Sequence, residues 1–156
     1  MNDLINNKKR NDIKLIIVGT GSLKSIIKNE INNCNLNENI ILLENRNDIK
    51  ALLDASDLFV FPSIYEGLGI VAIESQANGL PTLCSEFIPL EANVTSLFVQ
   101  EKLSKGISAW SVLIEDMLQK LKIRENLSET IREKGYDIKE AAKLLEEKYL
   151  EENVNE

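Results

Sequence analysis

Asp57-Leu58-Phe59-Val60-Phe61-Pro62-Ser63-Ile64-Tyr65-Glu66-Gly67-Leu68-Gly69-Ile70-Val71-Ala72-Ile73-Glu74-Ser75-Gln76-Ala77-Asn78-Gly79-Leu80-Pro81 holds a strand, a glycine-bearing loop, a helix and the approach to a second strand. After Asp57, residues 58–61 are apolar and aromatic, and Pro62 stops the strand because proline donates no ladder hydrogen bond. Gly69 to Asn78 reads as a helix, and Gly79 ends it. Leu80-Pro81-Thr82-Leu83-Cys84 reads as the next strand. Strand, helix and strand at this spacing predict a β-α-β unit with parallel strands.

The same alternation extends outward. Upstream, Ile13 to Val18 is an apolar run broken only by Lys14, which suits a strand covered on both faces, and Gly19-Thr20-Gly21 closes it. Ser22 is placed to cap a helix carrying Leu23, Ile26, Ile27 and Ile31. Asn39 to Leu43 reads as a strand, and Asn47-Asp48 as the cap of a helix with Ile49, Leu52, Leu53 and Ala55. Downstream, Ser96 to Val99 reads as a short last strand. From Ile107 the pattern is helical, with Trp110, Leu113, Ile114, Met117 and Leu121 three and four apart, then Ile123, Leu127 and Ile131. A last helix over 137–150 carries Ile138, Ala141, Ala142, Leu145 and Tyr149 on one stripe. The expected class is α/β, a Rossmann-like parallel sheet flanked by helices, followed by C-terminal helices. Residues 1–12 read as a loose, polar lead-in, 13–150 as the domain, and 151–156 as a frayed acidic tail.

Composition narrows the chemistry. The chain has 156 residues, 44% hydrophobic and 28% charged, enough for one domain with a core. Its net charge of −7 disfavours a nucleic-acid partner held by phosphate contacts. It leaves room for a small phosphorylated ligand bound by backbone amides. Histidine is absent, which removes His-based triads, imidazole bases and most zinc sites. Cys34 and Cys84 make neither a metal site nor a disulfide framework, and fit a reducing cytoplasm. No apolar stretch is long enough for a transmembrane segment, and the N-terminus has no secretory pattern.

In an open parallel sheet, ligands bind at the carboxyl ends of the strands. Two loops there stand out. Gly19-Thr20-Gly21 is either a tight strand-to-helix turn or a close approach to a ligand. The loop from Pro62 to Gly69 is the stronger candidate. Gly67 and Gly69 let its backbone lie against a ligand, and the first-turn amides of the next helix carry partial positive charge. This is an anion site without a lysine, suited to a diphosphate. Glu66 precedes that helix, and Glu74 lies about one and a half turns into it. Glu74 either accepts hydrogen bonds from a diol such as a ribose, or sits on an exposed edge or beside a lysine. The two glutamates do not make a metal pair.

The long central motif, from Asp57 through Glu66 and Glu74 to Pro81, closely resembles the nucleotide-sugar half of GT-B glycosyltransferases, in particular family 4. Two glutamates with seven residues between them are that family's mark, as at Glu66 and Glu74. Val18-Gly19-x-Gly21-x-Leu23 and Arg46-Asn47-Asp48-Ile49 fit the same pattern. Asn93-Val94-Thr95, Trp110 and Gly135-Tyr136-Asp137-Ile138 resemble the bacterial capsule and exopolysaccharide branch. The resemblance covers about residues 13–150 and implies a retaining transfer of sugar from a nucleotide-sugar, with UDP expected. It implies that Glu66 meets donor-sugar hydroxyls and takes the catalytic position, electrostatically and by positioning, with no protein nucleophile. It implies that Gly67, Leu68 and Gly69 offer amides to sugar and diphosphate, that Glu74 holds the ribose diol, that the region of Arg46 approaches the base, and that Gly19 and Gly21 face the donor. No metal and no cofactor is implied, since the donor is a substrate.

Against that family's plan, this stretch has no room for the acceptor-binding domain. It also lacks the first strand and helix of the donor domain, with the Arg and Lys that grip the donor phosphates. Lys8, Lys9 and Arg10 are not expected to replace them. Without a central first strand, its neighbours must pair with each other or leave unpaired edges. The second wall of the cleft is worth about 7–11 kcal/mol of a barrier through positioning. The expectation is a donor-binding portion of an enzyme that acts on a glycan acceptor at the cytoplasmic face of the membrane, completed by an acceptor-domain chain or a second copy. The alternative is a non-catalytic nucleotide-sugar-binding module from a truncated or split gene.

Overall fold

The computed structural model describes residues 1–120 and 124–152, with side chains as far as residue 150. Leu121, Ile123 and the end of the expected acidic tail lie outside the described residues. Among the described residues the strands are β1 (Leu15–Val18), β2 (Ile40–Leu43), β3 (Phe59–Phe61), β4 (Thr82–Ser85) and β5 (Phe98–Glu101). The α-helices are α1 (Lys24–Asn33), α2 (Ile49–Asp54), α3 (Ile70–Ala77), α4 (Gly106–Gln119), α5 (Ser128–Glu133) and α6 (Ile138–Glu152). Strands and α-helices alternate through β4, as the apolar periodicity predicts, and a single 3-10 turn, Leu90–Ala92, lies between β4 and β5.

Every strand pair is parallel, but the ladder is in two pieces. β1 pairs with β2, Leu15 opposite Ile40 through Val18 opposite Leu43. β4 lies between β3 and β5, with Leu83 opposite both Val60 and Val99. Among the described residues no hydrogen-bonded ladder joins the two sheets. Of the two outcomes expected without a central strand, unpaired edges are the one observed.

Side-chain alternation builds the layers. On one face of β4, Cys84 packs with Ala72 and Ile73 of α3, Ile88, Phe98 and Ile131 of α5. On the other, Leu83 packs with Trp110 and Met117 of α4. β4 is buried along its whole length. β1 and β2 are only partly covered, with Val18 and Ile41 exposed, so the expectation of a first strand covered on both faces is not met. The half-width of a two-stranded sheet is the physical reason.

Two further expectations are corrected. Residues 1–12 are not a loose lead-in. Asp3–Asn7 forms one π-helical turn that buries Leu4 and Ile5, and Ile5 packs with Ile31 and Leu36. Lys8 and Arg10 reach Glu115 of α4, Lys8 at 2.5 Å and Arg10 at 3.6 Å. Ser22 does not cap α1, which starts at Lys24 after Leu23 and has no side-chain cap; Leu23, Ile26 and Ile27 are exposed and only Ile31 is buried. The last helix forms where its stripe predicts, but Ile138, Leu145 and Tyr149 face outward.

Candidate functional site

The loop from Pro62 to Gly69 leaves the carboxyl end of β3 and feeds directly into α3. Gly69 is the hinge between them. Its φ of +76° is left-handed, and a Cβ there would lie 3.3 Å from Ile88 and 3.4 Å from Phe61. Conformation and space both call for glycine at that position. Gly67 faces open space instead, so an approaching ligand meets bare backbone there. The Ala72 amide turns back to the Gly69 carbonyl at 2.8 Å, and no side chain caps the helix, so the Ile70 and Val71 amides are the donors left at the loop end of α3.

Glu66 is half-buried in this loop, and its position is held by a line of hydrogen bonds. The Ser63 hydroxyl donates toward Glu66 Oε1 at 3.2 Å and the Tyr65 carbonyl at 3.1 Å. The fully buried Ser85, at the end of β4, donates its hydroxyl to the Ser63 carbonyl. Gln100 of β5 donates to the Ser85 carbonyl at 3.3 Å and to the Ile88 carbonyl at 2.6 Å. The carboxyl ends of three adjacent strands are thus tied together beneath one carboxylate.

Glu66, Gly67, Leu68 and Gly69 therefore share one loop. The other expected site residues lie apart from it. Gly19 and Gly21 line a cavity of about 370 Å³ at the ends of β1 and β2, bounded by an ion pair between Lys24 and Glu44. Lys24 holds the Glu44 carboxyl below its ordinary range. Arg46 turns to Asp48, with Nε donating at 2.8 Å to Oδ1 and Nη2 to the second oxygen. Each raises or lowers the other accordingly: the Arg46 pKa is up and the Asp48 pKa is down. Asp48 precedes α2 without a side-chain cap, because its carboxylate is engaged by Arg46. Glu74 is exposed, so it is no buried carboxylate in need of compensation. It faces a cavity of about 520 Å³ shared with Ile49 and Leu53 of α2 and with Arg124.

Sequence reading missed Ser63, Ser85, Lys24 and Glu44. The available signal was position: Ser85 and Glu44 stand at carboxyl ends of strands, where the fold places ligands. Ile64 and Tyr65 of the Glu66 loop and Ile70 at the start of α3 are exposed apolar side chains. Cys84 beneath it is inert, since burial pushes its thiol up to about 12.

Comparison with known proteins gives concordant findings. The family model described as "Glycosyl transferases group 1" matches residues 3–137. A Bacillus subtilis (strain 168) protein carried under the glycosyltransferase name EpsF is 34% identical over 126 residues, covering 80% of this chain and 33% of the relative. The Escherichia coli UDP-Gal:alpha-D-GlcNAc-diphosphoundecaprenol alpha-1,3-galactosyltransferase is 41% identical over 83 residues, covering 53% of this chain and 21% of the relative. The chain thus spans a third or less of the length of these relatives. Among solved structures, Anabaena Alr3699/HepE, determined with UDP and glucose, superposes with a TM-score of 0.69 at 18% identity. That match covers 95% of this chain and 44% of HepE, and supports the shared fold.

Proposed function

The chain belongs to the group 1 glycosyl transferases of GT-B fold, and on that premise we propose that it forms the donor-binding portion of a retaining glycosyltransferase using a UDP-sugar. The observation that carries this reading is the Glu66 loop: a carboxylate fixed by Ser63, directly before the open backbone of Gly67 and the start of α3, which no side chain caps. The amides and the helix dipole favour a diphosphate. The carboxylate is an acceptor for sugar hydroxyls. Glu74, open to its cavity, is left to hold the ribose diol. The nucleotide sugar is a substrate, and the reading assigns no cofactor and no metal to the chain. The E. coli relative, whose name includes UDP-Gal and alpha-D-GlcNAc-diphosphoundecaprenol, supports a UDP-sugar donor and a lipid-linked sugar acceptor.

In this reading the isolated chain binds nucleotide weakly and transfers sugar poorly, because a second lobe must close the cleft and exclude water. The open edges of β1 and β3 favour completion by an acceptor-domain chain. Thermal unfolding with UDP, GDP or ADP tests the site, with Glu74→Ala as control. Expected is stabilisation by UDP of about 2.7 kcal/mol at 100 times its Kd, lost in the variant. Failure of every nucleotide to shift the transition would sink the reading.

A further inference from the structure

We infer that Ser63 is a positioning residue that selects the working rotamer of Glu66, an inference that rests on the donor-site reading above. A glutamate side chain has three rotatable bonds and, in a loop, few neighbours to restrict them. Ser63 supplies the restriction. Its hydroxyl has one proton, shared between Glu66 Oε1 at 3.2 Å and the Tyr65 carbonyl at 3.1 Å. One carboxylate oxygen is thereby occupied from inside the loop. The other, Oε2, is left to accept from a ligand.

Ser63 can impose this geometry because it is itself fixed. Its carbonyl accepts from the fully buried Ser85 hydroxyl, and the Ser85 carbonyl accepts from Gln100 at 3.3 Å. The order set by β4 and β5 reaches Glu66 through the Gln100 side-chain amide, backbone carbonyls and two serine hydroxyls. Ser63 touches no ligand in this scheme. It acts on the sugar through Glu66, and has no reason to act on the nucleotide.

The test is a comparison of UDP with UDP-glucose, UDP-galactose and UDP-N-acetylglucosamine by calorimetry on the full chain. Expected for Ser63→Ala is a roughly tenfold weaker Kd for the best-bound UDP-sugar, with UDP changed less than about twofold. Ser63→Thr, which keeps the hydroxyl, should restore the UDP-sugar. In a Glu66→Ala background, Ser63→Ala should add nothing further. Equal losses for UDP and UDP-sugar, no loss, no rescue by threonine, or wild-type binding that ignores the sugar would each overturn the role of Ser63 and leave the nucleotide site standing. Absence of all binding by the wild-type chain would overturn the donor-site reading and this inference with it.

Discussion

Gln76 holds Thr95 at two points: its Oε1 accepts from the Thr95 amide at 3.0 Å and from the Thr95 hydroxyl at 3.0 Å. Its amide nitrogen donates to the carbonyls of Ala72 at 2.8 Å and Ala92 at 2.7 Å. The side chain is fully buried and fastens α3 to the segment leading into β5. Gln76→Leu keeps the approximate volume but strands several buried polar groups. Expected is a loss of about 3 kcal/mol, read from urea unfolding. A loss below about 1 kcal/mol would show that water replaces the amide.

Two glycines separate folding from binding. Gly79 has φ +72°, and a Cβ there would lie 2.1 Å from the Glu125 carbonyl oxygen. Gly79→Ala should cost at least about 2 kcal/mol of stability. Gly67 has open space where a Cβ would go. Gly67→Ala should leave stability within about 0.5 kcal/mol and weaken UDP-sugar binding, because the methyl stands where the ligand approaches. Parallel melting curves and titrations of both variants decide this.

The N-terminal turn offers a packing test. Leu4 is 1% exposed and Ile5 is 5% exposed. Leu4→Ala should destabilise by about 3 kcal/mol, as a buried leucine truncation does. An effect under about 0.5 kcal/mol, as at a surface position, would mean that the turn detaches in solution.

Alkaline pH should act through Cys84. Burial raises its thiol from 9.0 to about 12, so the unfolded chain releases that proton first. Between those values the unfolded state binds fewer protons than the native state, and stability falls as pH rises. Below 9 the contribution is fully present. Under reducing conditions, Cys84→Ala should show a flatter decline in urea midpoint between about pH 9 and 11 than the parent. Identical slopes would remove Cys84 as the cause.

Local chemistry was legible in the sequence; long-range pairing was not. Pro62 ends β3, Gly79 ends α3 and Gly69 turns the chain into it because each acts through its own backbone. The fold class and the Glu66 loop follow from those three positions. Asp48 and Ser22 fail as caps because a cap depends on competitors: Asp48 finds Arg46, and α1 begins after Ser22. Spacing left Glu74 open between a diol acceptor and an exposed edge, since apolar Ile70, Val71, Ile73 and Ala77 flank it in sequence; the helix turns it outward while Ile73 and Gln76 are buried. Leu4 and Ile5 were hidden among asparagines and lysines; Ile31, against which Ile5 packs, is distant in sequence, and only tertiary contact reveals it.

The break in the ladder between β1 and β3 also sets how the molecule comes apart. A continuous sheet shares the cost of opening across all its strands, whereas here each sheet can release its amides alone. The β1–β2 half is held to the rest through Glu115, with its bonds to Lys8 and Arg10, and through the turn that carries Leu4 and Ile5. The β3–β4–β5 half has the enclosed cores around Cys84 and Leu83. Hydrogen exchange should accordingly resolve two cooperative units, with Ile17 and Leu42 exchanging well before Leu83 and Val99, and with the Glu66 loop belonging to the slower one.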